Sequence, residues 1–131
     1  MRLRRVTRAE FLARLKAHHR RVHVGVTGGA AYPDRRRVYR VLKWVKPARV
    51  FHLAHGVTGN DYTTIQGLDR WADAWALTTP GVMLRRYPGI DPGACLDEEA
   101  AEGPITAVLA FPGGGGLLGA ARARGVPVFV L

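Results

Sequence analysis

Apolar positions along this chain fall into two alternating patterns. Short, nearly continuous apolar runs occur at Val22-His23-Val24-Gly25-Val26-Thr27, Val50-Phe51-His52-Leu53-Ala54-His55, Val82 to Tyr87, Ala107 to Ala110 and Val126 to Leu131. Such runs, bounded by glycine, proline or charge, predict strands buried on both faces; the charges ending the third run suit a sheet edge. Between them lie segments of helical period. Asp34 caps a helix with Val38, Val41, Leu42 and Val45 on one face, and Pro47 ends it. A second helix is predicted from about Gly67 to Leu77, with Trp71 and Trp75 packing one face, and an alanine-rich one from Leu117 to Arg124. Thr7-Arg8-Ala9-Glu10 forms a capping box flanked by the Val6 and Phe11 staple, and the stripe Phe11, Leu12, Leu15 docks this first helix on the body. The segment from Pro88 to Gly103 is acidic and rich in proline and glycine, with one helical turn around Leu96 to Glu102. Alternating strand and helix predicts an α/β domain built on a parallel sheet with helices on both faces.

The 131 residues set the scale of one domain, 1–131, divided into a basic N-terminal helix over 1–20 and a core over 22–131. No apolar run has the length of a membrane span, and the start of the chain is too rich in arginine for a signal peptide. The lone Cys95 has neither a disulfide partner nor metal-ligand neighbours, which makes the cytoplasm the expected compartment. Charge is spread unevenly. Residues 1–46 hold 14 of the 20 Lys and Arg against Glu10 and Asp34, net +12; residues 47–131 hold 6 bases and 8 acids, net −2. A basic third of this kind invites nucleic acid through Arg8, Arg14, Arg20, Arg21, Arg35 and Arg36; arginine-rich host composition accounts for it equally well.

The candidate chemistry sits at strand ends. Phe111-Pro112-Gly113-Gly114-Gly115-Gly116 joins a strand to a helix. Glycines there let the backbone approach a phosphate, and the helix N-terminus carries about half a positive charge. The same spacing also serves a plain flexible turn. Gly28-Gly29-Ala30-Ala31-Tyr32 and His55-Gly56 follow two other strands, so all three segments are expected to line one crevice at the carboxyl edge of the sheet. Asp69, near a helix start, reads as a cap or as a ribose contact. His52 and His55 point to opposite faces of a strand, so a shared metal is not expected. His18-His19 beside Arg20-Arg21 reads as a solvated helix end, and the long segment Val57 to Gln66 as a lid or a surface loop.

These motifs resemble the SLOG superfamily, the group holding the lonely-guy cytokinin-activating hydrolases and the DNA-processing protein A fold. The similarity is greatest to its small single-domain bacterial and phage branch. Gly28-Gly29 with Tyr32 and Asp34 match its first turn. His55-Gly56, Gly67-Leu68-Asp69, Ala72 and Trp75-Ala76 match its middle motif. Phe111-Pro112-Gly113-Gly114 with Gly116, then Gly125-Val126-Pro127-Val128, match its last. The resemblance covers about residues 22–131. It implies a three-layer Rossmann-like sheet of about five strands in the order 3-2-1-4-5, and a common tendency to pair as dimers.

The departures matter as much. Ala30 and Ala31 replace an arginine and an aspartate of the family pattern, Leu117 replaces a threonine, and the polar stretch expected near Ile90-Asp91-Pro92 is not recognisable. The lonely-guy enzymes carry acids where Gly119 and Ala120 stand here, and N-glycosidic hydrolysis without them loses its general acid/base. The expectation is therefore a binder of a nucleotide or ADP-ribose-like ligand, acting as sensor or carrier. No catalytic residue and no metal are assigned. The ligand would touch Gly28, Gly29, Ala30, Tyr32, His55, Gly56, Gly67, Asp69 and Pro112 to Gly116. A nucleic-acid-binding protein and a nucleoside-phosphate glycosidase, with Asp69 substituting for the missing acids, are the alternatives.

Overall fold

The computed structural model describes residues 3–17, 22–29, 31–45, 51–57, 67–88, 107–113 and 116–131. Five strands, β1 (Val22–Thr27), β2 (Phe51–Val57), β3 (Val82–Pro88), β4 (Ala107–Ala110) and β5 (Val128–Val130), form one sheet in the order β3-β2-β1-β4-β5. Every neighbouring pair is parallel. Four helices accompany them among the described residues: α1 (Arg8–Ala17), α2 (Arg35–Val45), α3 (Gly67–Thr78) and α4 (Gly116–Arg124). The α/β class and the parallel pairing agree with the sequence pattern.

Strand β4 shows how the layers are arranged. Successive side chains of a strand point to opposite faces. Ala107 and Leu109 pack with Phe11 and Leu15 of α1, the apolar stripe of α2, and Leu68, Ala72, Trp75 and Ala76 of α3. Val108 and Ala110 pack on the other face with Leu117 and Ala121 of α4 and with Val128. The sheet therefore lies between α1, α2 and α3 on one side and α4 on the other. The α2 stripe is the one that the periodicity marks: Val38, Val41, Leu42 and Val45 are all buried. Its cap is also as read, since Asp34 Oδ1 accepts from the Arg37 N–H at 3.0 Å.

The N-terminal segment departs from the expected helix over 1–20. Arg5 N–H donates to Leu3 O at 2.9 Å, and residues 4–6 lie along the outer edge of β5. Val6 N–H donates to Val128 O at 2.9 Å, Val128 N–H donates to Arg4 O at 2.8 Å, and Arg5 bridges Val128 in parallel. Pairing there covers the open edge of β5 at Val128. The helix starts at Arg8, where the capping box closes: Glu10 N–H donates to Thr7 Oγ1 at 3.2 Å and Thr7 N–H to Glu10 Oε1 at 3.3 Å. Phe11 is fully buried, and its ring lies 5.8 Å from that of Phe129. This segment is part of the body.

Two strand boundaries also differ from expectation. Strand β2 continues through Gly56 to Val57 because β3 runs beside it that far, pairing Gly56 with Tyr87 and Val57 with Pro88. Strand β5 begins at Val128, two residues late. Val126 N–H instead closes the end of α4 on Ala121 O at 3.0 Å, and Pro127 has no N–H to give.

Candidate functional site

The strand order reverses direction between β1 and β4, where Thr27 pairs with Ala110 at the carboxyl edge. Beyond that pair the chain turns from β1 toward α2 on one face and from β4 toward α4 on the other. The two turns are tied together before they part. Phe111 N–H donates to Thr27 O at 2.9 Å, and Gly29 N–H donates to Pro112 O at 3.0 Å. A Cβ on Gly113 would lie 3.0 Å from Gly29 Cα, and Gly113 has φ +81°, so both the conformation and the close approach require glycine. Pro112 and Gly113 are nevertheless exposed on their outer side.

The start of α3 forms the third wall. Leu68 N–H, one of the amides a helix start leaves without an intrahelical partner, donates to Gly29 O at 3.3 Å. Leu68 is fully buried against Gly28, where an added Cβ would sit 2.5 Å from Leu68 Cδ2. Leu68 thus meets the Gly28-Gly29 turn directly, with Gly67 and Asp69 next to it in the chain. Asp69 is buried in the first turn of α3, and Asp73, one turn further on the same side, is buried as well. Asp73 carried no mark in the sequence reading. Its signal was an acid four residues after Asp69, flanking an otherwise apolar stripe.

Tyr32 locks the loop after β1. Its N–H donates to Gly29 O at 3.1 Å, its carbonyl accepts from Trp71 Nε1 at 3.1 Å, and its ring lies 5.5 Å from that of Phe111. The phenol oxygen is buried with no hydrogen-bond partner. Trp71 is thereby a structural donor, and Trp75 is buried in the core, so the pair packs as expected.

Of the predicted ligand residues, the fold brings together Gly28, Gly29, Tyr32, Pro112 and Gly113, sets Gly67 and Asp69 on either side of Leu68 in the chain, and starts α4 at Gly116. Ala30, Gly114 and Gly115 lie outside the described residues. His55 pairs with Val26 and Arg86 inside the sheet, and Gly56 lies within β2. The expectation that His55-Gly56 is a strand-end turn is therefore corrected: both belong to the ladder, and the end of β2 is Val57. The Gly29 N–H is committed to Pro112 O.

Among the proposed nucleic-acid residues, Arg8, Arg35 and Arg36 are exposed and Arg14 is half-buried on α1, while Arg20 and Arg21 lie outside the described residues. Among the described residues no group of three His, Cys, Asp or Glu side chains is placed to hold a metal, and no helix is long and apolar enough to cross a membrane. In comparisons with known proteins the chain matches no protein-family model, no curated protein and no solved structure.

Proposed function

We propose that the chain is a Rossmann-like, SLOG-type domain that binds a small nucleotide or nucleotide derivative at the junction of β1 and β4. The observation carrying this reading is the cinched pair of turns, Gly28-Gly29 and Pro112-Gly113, at the point where strand order reverses. In open parallel sheets that point is where ligands sit. The amides open to a phosphate belong to the first turn of α4, from Gly116, whose dipole favours an anion. Tyr32 supports the reading, since a buried hydroxyl without a partner costs about 1–3 kcal/mol and a ligand group can satisfy it. Gly119 and Ala120 supply no acid beside the phosphate position, which favours holding a ligand over cleaving one.

The test is thermal stabilisation by a panel containing AMP, ADP-ribose and NAD, with two variants. A ligand present at 100 times its Kd adds about 2.7 kcal/mol of stability, which raises Tm by several degrees. Gly116→Asp places an acid in the first turn of α4, which the helix dipole tolerates or favours by about 0.3–1 kcal/mol. That variant should keep the apo Tm and lose the ligand response. Tyr32→Phe should raise the apo Tm while weakening the ligand. A panel without any response overturns the proposal, and release of free base from AMP would replace it with the glycosidase reading.

A further inference from the structure

The second unusual property of the chain, its basic third, acquires a shape in the fold. Helices α1 and α2 lie on the same face of the sheet, joined through Phe11, Phe129 and Trp44: Phe129 is 5.8 Å from Phe11 and 6.1 Å from Trp44. The buried stripe of α2 turns Arg36, Arg40 and Lys43 outward, spaced i, i+4, i+7, so they form one exposed ridge along the helix. Arg4, Arg5, Arg8 and Lys16 are exposed on the neighbouring segment, and Arg35 opens α2.

Among the described residues this surface carries many more bases than acids. Its two acids, Glu10 and Asp34, both serve helix caps by accepting from backbone N–H groups. Two guanidinium groups are held against aromatic rings: Arg8 lies 4.2 Å above Trp44, and Arg35 lies 5.8 Å from Tyr39 and 5.9 Å from Trp71. Those contacts order the cations in advance of any partner. They also place cations over Trp44, Tyr39 and Trp71, which competes with the stacking of single-stranded bases on those rings.

We infer that the α1–α2 face is a nucleic-acid-binding surface that grips the phosphate backbone of a duplex, without reading bases. The chemistry selects this partner over two others. An anionic membrane surface would need apolar side chains beside the cations. The exposed large apolar residues of the described chain, Leu77 and Met83, lie at the end of α3 and on β3 instead. A protein partner would need an apolar interface centre, which the ridge also lacks. Backbone contact depends on charge density and spacing alone, and the ridge provides both.

The experiment is fluorescence anisotropy of a labelled 20-base-pair duplex titrated with the full chain across a series of NaCl concentrations. The wild type should bind with an affinity that falls steeply with salt and differs little between unrelated sequences. Arg36→Glu/Arg40→Glu/Lys43→Glu should lose at least about tenfold in affinity, and its salt slope should be smaller by about 3, close to one unit per lost phosphate contact. Arg36→Gln/Arg40→Gln/Lys43→Gln provides the same slope test at lower perturbation should the reversal variant not fold. Arg122→Glu/Arg124→Glu, on α4 across the sheet, should leave most of the affinity, whereas Arg36→Glu/Arg40→Glu, which changes net charge equally, should not. Equal loss in these two double reversals, absence of duplex binding, or tighter binding to phosphatidylserine vesicles or polyglutamate overturns the proposal. AMP or ADP-ribose at millimolar concentration should not compete, which separates this surface from the β1–β4 site.

Discussion

Two glycines set the limits of what the β1–β4 junction and the helix beside it tolerate. Gly28 has no room for a methyl group: its added Cβ would meet Leu68 Cδ2 at 2.5 Å and Leu68 Cβ at 2.9 Å, with Leu68 fully buried. Gly28→Ala must therefore displace the start of α3, at a cost of about 1–3 kcal/mol. Gly119, in the interior of α4, meets nothing within 4 Å. Gly119→Ala should stabilise by about 0.4–1 kcal/mol, mostly through the unfolded chain. Urea denaturation of both variants tests the pair. Equal effects at the two positions would mean that Gly28 is not held against Leu68 as described. The same reasoning makes Gly119 a position that accepts a side chain, so the missing acid there is not forced by packing.

At the level of elements, α1 carries more than its short length suggests. Phe11 is fully buried against the sheet, beside Phe129 of β5, and truncating a buried Phe costs about 3–5 kcal/mol. Whole domains are stable by only about 5–15 kcal/mol. Phe11→Ala should therefore lower the urea midpoint sharply, whereas Leu12→Ala, half-buried on the same helix, should cost less. Elements of this kind were legible in the sequence wherever a local rule governs them. The stripe Val38, Val41, Leu42, Val45 and the Asp34 cap specify α2, and Thr7 with Glu10 specifies the start of α1. The parallel pairing followed from apolar runs separated by helices. Boundaries set by distant partners were not legible. Nothing near Arg4-Arg5-Val6 signals an edge pairing with Val128, and Gly56 reads as a turn until β3 is known to extend to Pro88. At the candidate site the sequence marked both turns. It did not show that they bond to each other, because Gly29 and Pro112 are far apart along the chain and no spacing rule connects them.

On the scale of the whole molecule, charge and topology pull in opposite directions. The α1–α2 face gathers positive side chains whose repulsion opposes the compact state. Raising NaCl from 0.1 M to 1 M shortens the screening length from about 10 Å to about 3 Å. The Tm of the free protein should rise over that range, and it should rise less in the Arg36→Gln/Arg40→Gln/Lys43→Gln variant, which begins with part of the repulsion removed. A Tm insensitive to salt in both proteins would show that the face is balanced by charges elsewhere.

The bond between Arg4 and Val128 has a further consequence for the order of assembly. Residues 3–6 leave the ribosome long before the strand they pair with. Until Val128 and Phe129 are released, the Phe11 and Leu15 side of α1 lacks part of its cover, and β4 has an open edge. A pairing this distant in sequence places its loop-closure cost at the end of folding. The nascent chain thus holds a basic, half-covered helix in solution until β5 emerges, and the domain closes only when that strand is laid beside residues 3–6.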